Sequence, residues 1–433
     1  MFLVLSINFS SCGSSSKEEE TVTGSSNELQ FAELLERDEA LSKDEYIKIK
    51  TKYDNIKNRY AKDKSDAKNI LKLVEIYIYE ARVTGEHPHY YSAALKTLNW
   101  MLDGNVTLSK DDMFTTLFYK ATVQLAQHNF TDALKTGQDA LAINNVNSGI
   151  YGVLVDANVE LGNYDKAVEM VDKMIQIRPD LRSYSRQSYL REIYGDNTGS
   201  KSAMVQAIKN GDPYSEYTCW ALKTLGEIYE SEGKLDSAAV CYEETMTRRP
   251  NYPFGIAGLA RIEAKKGNIE KAYNMYDSAI AILPEIGFNI ELAQLKKENG
   301  KEEEAQKMVG EIETMFTEDI ESGHNMNLEY AAFLADFKND YKKALELAKT
   351  ELETREKNID VNKQLAFIYY EMGDMDKAKE HVNIALATNK KDAALICLKG
   401  VLNNDVPMIK ESFEHNSFQD HAAVDAAKKM LAS

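Results

Sequence analysis

The chain has 433 residues, too many for one small core and enough for several domains or one elongated array. Its formal net charge is −17, and no Lys/Arg-dense stripe offers the basic face that nucleic-acid binding requires. Glycine (22) and proline (7) are scarce, and every proline stands where a helix could end, which points to an all-α chain.

The first notable residue is Cys12, after the apolar run MFLVLSINFSS and before the polar stretch GSSSKEEETVTGSSN. The run is as long as a signal-peptide core and far short of the roughly 20 residues that span a bilayer. With small serines just before the cysteine, it resembles a bacterial lipoprotein signal (1–11), in which Cys12 becomes the lipid-carrying residue and 12–28 the tether. No Lys or Arg precedes the run, and Phe9 stands where leucine is usual. Lys17-Glu18-Glu19-Glu20 is similar to the acidic export signal of surface lipoproteins of the Bacteroidetes. The other cysteines, Cys219, Cys241 and Cys397, form no C-x-x-C pair and read as small buried hydrophobes.

Residues 29–113 form an N-terminal helical region. Glu28–Arg82 is helical by pattern, and a divergent helix pair at 66–104 places Ala94 as a packing alanine. His87 and His89 flank Pro88 in an expected loop. An H-x-H pair can ligate metal, but no third ligand accompanies it.

From 114 to 392 a unit recurs. Gly162, Gly233, Gly267, Gly300 and Gly373 each precede an alanine by five residues: Ala167, Ala238, Ala272, Ala305 and Ala378. His128, Thr198 and Asn339 take the same place before Ala133, Ala203 and Ala344. Threonine adopts the left-handed region poorly, so Asn197 or Gly199 is the alternative turn residue there. Seven residues before the turn stand small side chains (Ala121, Gly226, Ala260, Ala293, Ala332, Ala366), and tyrosines and prolines recur at fixed offsets. Apolar residues at helical spacing on both sides of each turn make a hairpin of two amphipathic helices. No single hairpin can bury its stripe, so about eight must stack. The wider interval before Asn339 implies an insertion near Thr317–Gly323. Residues 393–433 read as capping helices.

A period near 34 in this Leu-small-Tyr, Gly, Ala, Tyr, Pro order resembles the tetratricopeptide repeat. The resemblance implies a right-handed superhelical solenoid of antiparallel helix pairs with helical caps at both ends. Runs such as YSRQSYLREIYGD and GIAGLARIEAKKGNIEKA resemble exported bacterial members of that class. The resemblance also implies that the first helix of each unit lines a concave groove, the place six before the turn pointing inward. There stand Asp156, Glu192, Glu227, Arg261, Phe333 and Phe367; Lys223 lies ten before its turn, Trp220 and Phe254 thirteen before theirs. The expected work is that of a non-enzymatic, lipid-anchored scaffold in the cell envelope, an outer-membrane lipoprotein holding a protein or peptide partner in the groove. Its acids would meet basic side chains, and Trp220 and Phe254 would anchor apolar ones. Competing expectations are that the charged residues pair with one another, that Trp220 is a packing residue, and that the protein captures a glycan or nutrient. No nucleotide-binding, zinc-protease or hydrolase motif occurs, so no catalytic residue, metal or cofactor is expected.

Overall fold

The computed structural model describes residues 28–37 and 41–433. Cys12, its leader and its tether lie outside the described residues. The described residues begin as an irregular strap, 28–37, not as the helix expected there. Tyrosine hydroxyls hold it. Leu29 N donates to Tyr60 Oη at 3.1 Å, Leu35 N donates to Tyr90 Oη at 2.9 Å, and Tyr53 and Tyr77 both donate to the Ala32 carbonyl. Arg37, buried, closes it with a two-pronged bond to the fully buried Glu80.

Twenty-two α-helices follow, with no strand among the described residues. The first three are α1 (Lys43–Tyr60), α2 (Ala67–Thr84) and α3 (His87–Trp100). Then come hairpins of α4 (Lys110–Ala126) with α5 (Phe130–Ile143), α6 (Ser148–Glu160) with α7 (Tyr164–Ile177), and α8 (Leu181–Ile193) with α9 (Asn197–Lys209). They continue with α10 (Glu216–Ser231) and α11 (Leu235–Arg248), α12 (Pro253–Lys265) and α13 (Ile269–Ile282), and α14 (Ile286–Glu298) and α15 (Glu302–Glu321). The last are α16 (Asn327–Phe333) with α17 (Tyr341–Leu352), α18 (Ile359–Glu371) with α19 (Met375–Ala385), and α20 (Ala393–Asn403) with α21 (Val406–His415). Helix α22 (Val424–Ala432) ends the chain.

The hairpin turns share one hydrogen-bond pattern. The amide after the left-handed residue reaches back over it, as in Asn163 N to Asn158 O (2.7 Å), Lys234 N to Tyr229 O (2.9 Å) and Asp374 N to Tyr369 O (2.9 Å), a Schellman closure. Five residues on, the alanine of the second helix is fully buried, as at Ala133, Ala167, Ala238, Ala272, Ala344 and Ala378. Small residues on the first helix meet it, and Tyr242 and Tyr276 fill the space beside them. The array therefore rests on close backbone approach with large side chains at its margins.

Three positions depart from the expected phase. The turn between α8 and α9 is Gly195 (φ 75°), not Thr198, Asn197 or Gly199. Counted from Gly195, Ser188 and Ser200 take the two small places, and their hydroxyls meet at 3.0 Å, both buried. Asn339 is left-handed as expected, but the helix before it ends in a π-turn, Leu334–Lys338, so Asp340 N reaches one residue further back, to Leu334 O. The extra residue moves every earlier side chain one place, and the buried small residue is Ala331, not Ala332. In the N-terminal pair the turn is Gly85, so Tyr90 holds the alanine place and Ala94 lies one helical turn further on; both are fully buried. The insertion near Thr317 is a helical extension: α15 has 20 residues where α13 has 14.

The superhelix closes on itself. Hairpin tips lie along one edge of the array, connections between hairpins along the other, and after one circuit the second edge rests on the first. Asn325 N donates to Gln127 O at 3.0 Å. Arg355 donates to the Glu160 carbonyl at 2.9 Å and to its carboxylate at 2.7 Å, and Ile359 N donates to Tyr164 Oη at 2.8 Å. These bonded partners are 195 to 198 residues apart, so at about 34 residues per hairpin a circuit takes roughly six. Further along the seam, Gly195 meets Asn389 and Gly233 meets Asn416. Near its start three imidazoles gather: His324 lies 4.6 Å from His128 and 6.2 Å from His87, centroid to centroid. Neither His324 nitrogen has a hydrogen-bond partner.

The seam yields two predictions. A Cβ on Gly162 (φ 73°) would stand 2.7 Å from the backbone of Lys357 and Asn358, whereas one on Gly267 (φ 84°) would meet nothing within 4 Å. Gly267→Ala should cost only the left-handed strain, about 1–2 kcal/mol. Gly162→Ala should lower the melting temperature further and enlarge the radius of gyration in X-ray scattering as the seam parts. Burial, reinforced by His128, pushes the His87 imidazole down to about 4 and that of His324 to about 3. The fold therefore favours neutral rings, and their contribution, complete above about pH 6.5, is lost as pH falls toward 4. Asp319 and Glu285, pushed up by burial to about 6 and about 7, act in the opposite sense, weakening the fold as pH rises from about 4 to those values. His324→Phe should gain at least about 2 °C on the wild-type chain between pH 7 and pH 4. A pH-independent difference would remove the ring from the account.

Candidate functional site

The inner faces of α1, α2, α4, α6, α8 and α10 surround a channel of about 1720 Å³, across which Arg355 and Asp360 of the next circuit stand. Of the places six, ten and thirteen before the turn, Thr122 and Phe118 on α4, Asp156 and Gly149 on α6, and Glu227, Lys223 and Trp220 on α10 line it. Counted from Gly195, the same places on α8 are Tyr189, Ser185 and Arg182, and all three line the wall.

The expected charged ladder is largely self-neutralised. Asp156 receives two bonds from Arg186 (2.8 and 2.5 Å), and Glu227 pairs with Lys223 at 2.7 Å. Glu192, three residues before its turn instead of six, lies on the wall 3.5 Å from Lys390. Arg261 is outside the wall. It is held 3.2 Å from both Glu230 and Glu291 and 3.2 Å from Tyr242 Oη, which makes it the centre of an inter-hairpin network. The carboxyl of Glu160 is pushed up to about 7 by burial; Arg355 opposes the shift, while Asp360, Asp156 and Glu329 add to it.

The aromatic candidates separate in the same way. Trp220 is 39% exposed and faces the channel, its edge packed against Phe254 at 5.3 Å. Phe254 sits between Trp220 and Phe288 as a packing residue. Phe333 is 1% exposed among Phe316, Tyr330 and Phe337, so its assignment to the groove is corrected. The π-turn explains this, since it shifts Phe333 into the place five before the turn, where Val123, Ala157, Ile228, Ile262 and Ile368 are all buried. Phe367 is covered by His421, 5.3 Å away, in the segment before α22.

The H-x-H pair is split. His89 meets the Glu33 carbonyl of the strap at 2.8 Å, and His87 stacks on Tyr91. Among the described residues no group of three or more His, Cys, Asp or Glu is arranged to hold a metal ion. Cys219, Cys241 and Cys397 are buried free thiols.

Repeat counting missed two contributors. Tyr217, on α10, has no counterpart in the other units. Arg82, on α2, lies outside the clear repeats and enters the wall only because the superhelix brings α2 beside α10, where its guanidinium bonds to Glu216 at 2.5 Å.

A family model described as tetratricopeptide repeat matches residues 124–190 and 338–399. Over those two segments the chain is similar to tetratricopeptide repeats. Solved structures similar to these repeats include pilF of Pseudomonas aeruginosa, 14% identical over 49% of this chain and 97% of that one, with a TM-score of 0.39. Another is TTC0263 of Thermus thermophilus, described as a thermophilic TPR protein: 20% identical, 46% and 97% covered, TM-score 0.38. A human IFIT1 dimer with PPP-AAAA is 12% identical, with 89% of this chain and 95% of that one covered and a TM-score of 0.43. No curated protein sequence matches the chain.

The network around Arg261 generates a stability prediction. Glu230 is buried and depends on Arg261 and Lys265 for its charge. Arg261→Met should cost about 2–4 kcal/mol, read as a lower melting temperature, by leaving a buried carboxylate short of a partner. An unchanged melt would return Arg261 to the binding candidates.

Proposed function

We propose that this protein is a non-enzymatic scaffold that holds an extended segment of a protein partner inside the channel. One observation carries the proposal: a laterally closed channel whose wall keeps large aromatics, Trp220 and Tyr189, open to solvent. Partly exposed rings in a concave wall gain by being covered further. A stack of tetratricopeptide hairpins supplies a rigid wall of this kind, and an extended chain can make many shallow contacts along it.

The second part of the proposal concerns place. Cys12 carries a lipid, and the protein is an outer-membrane lipoprotein of a bacterial cell envelope, facing the periplasm or the cell surface. Supporting this are the apolar run before Cys12 and the polar tether after it. No helix of the described residues is long and apolar enough to cross a membrane. Glycan capture is the weaker alternative. Sugar platforms use a bare aromatic face, whereas Lys223 and Arg82 stand 4.3 Å and 5.2 Å from the centre of the Trp220 ring.

A photo-cross-linking residue placed at Tyr189 should yield one discrete protein adduct in cells, and the same residue at Lys307, exposed on the outside of α15, should not. Equal labelling at both sites, or none at Tyr189, would remove the channel as the binding surface. Cys12→Ser should move the protein from the membrane to the soluble fraction, and unchanged partitioning would end the lipid assignment.

A further inference from the structure

The free charge inside the channel is opposite in sign to that of the protein as a whole. The chain carries −17, yet the carboxylates of Asp156, Glu160, Glu192 and Glu227 on the wall are all matched by cations. The unmatched groups are mostly basic. Lys48, Lys52, Arg59, Lys72 and Arg182 line the channel with no carboxylate in salt-bridge reach among the described residues. On the acidic side Glu75 and Asp360 are comparably free, and Glu329 faces only the His128 imidazole, at 3.6 Å. Lys48, Lys52 and Arg59 recur at helical spacing and share one face of α1. That face and Lys72 of α2 give the wall a basic side built of separate elements.

The aromatics at the channel's waist join this pattern. Arg182 lies over Tyr217 at 5.2 Å, Arg82 over both Tyr217 (4.8 Å) and Trp220 (5.2 Å), and Lys223 over Trp220 (4.3 Å). Cation, ring, cation, ring and cation alternate. Glu216 fixes Arg82 and Glu227 fixes Lys223, so the ladder is pre-organised by carboxylates at its back. Arg182 is the end rung and has no carboxylate of its own. Stacking holds a guanidinium in place and leaves its N–H edge free to take a carboxylate in two-pronged fashion.

We propose that the segment taken into the channel is an acidic, extended peptide, its carboxylates meeting Arg182 and the basic face of α1 and an apolar side chain covering the exposed part of Trp220. This inference rests on the channel-binding function proposed above and reverses the charge first expected of the groove. An acidic exterior repels such a peptide everywhere except at the channel, which focuses it there. A nucleic acid fits less well. A strand filling the channel would bring one phosphate per nucleotide against five free cations and a wall that also bears carboxylates.

The test uses the full chain in detergent. Trp100→Phe leaves Trp220 as the sole tryptophan of the two, and its emission reports occupancy. Three probes are titrated: a 12-residue peptide of repeating Glu-Glu-Leu-Ser, the same peptide with lysine for glutamate, and a 12-nucleotide oligouridylate. The glutamate peptide is expected to shift Trp220 emission saturably, bind at least about tenfold more tightly than the other two, and weaken with added salt. Arg182→Glu, and separately Lys52→Glu, should each weaken it by about tenfold with the thermal melt unchanged, while Lys307→Glu on the outer surface should change nothing. Tighter binding of the lysine peptide at Trp220 would overturn the acidic assignment and leave the channel function standing. Tighter binding of the oligouridylate would overturn the partner class. Silence of Trp220 toward all three probes would overturn the inference, and the cross-link at Tyr189 would show separately whether the channel function falls with it.

Discussion

Everything in this molecule depends on how closely two helices can approach where a small side chain faces another. In the hairpins from α4 to α19 the residue five past each turn, alanine throughout except Ser200, is buried against the preceding helix, in most of them against a small residue. That contact and the Schellman closure fix the geometry of each hairpin. A repeated fixed geometry gives a superhelix of defined pitch, just as a stair of equal steps gives a defined spiral. A bulky residue at any of these places would disturb every later unit, because each inherits the orientation of the one before.

The pitch is small enough for the second circuit to rest on the first. Long-range bonds of this kind are rare in an idealised solenoid, where each repeat touches only its neighbours. Here the contact of Arg355 with Glu160, the hydroxyl of Tyr164 on the Ile359 amide, and the pairing of Asn325 with Gln127 join units nearly two hundred residues apart. They turn an open groove into a channel and give the array a cooperativity that a one-dimensional stack lacks. His87 and His324 at the seam link that closure to proton concentration, since burial favours their neutral forms.

Most of the fold was legible in the sequence, and the exceptions have physical causes. Left-handed glycine followed by alanine marks a hairpin whatever surrounds it, so Gly162, Gly233, Gly267, Gly300 and Gly373 stood out. Gly195 did not, because serine replaced alanine at Ser200 and drew the count to Ala203. Phe333 was assigned to the wrong face because a π-turn adds a residue without leaving a recognisable signature. The site was less legible than the fold. Asp156, Glu227, Lys223 and Trp220 followed from the hairpin phase, and so would Arg182 and Tyr189 from the correct turn. That α2 would bring Arg82 between Tyr217 and Trp220 could not be counted from any repeat, because it depends on the pitch of the whole superhelix. So do the pairings that cancel the carboxylates and leave the cations free.

The strap at the amino terminus has a mechanical consequence. Its hydroxyl and guanidinium contacts to α1, α2 and α3 lie side by side, from Leu29 on Tyr60 to Arg37 on Glu80. Tension drawn along the strap is therefore shared among several bonds and passes to three helices, instead of falling on the first turn of α1 alone.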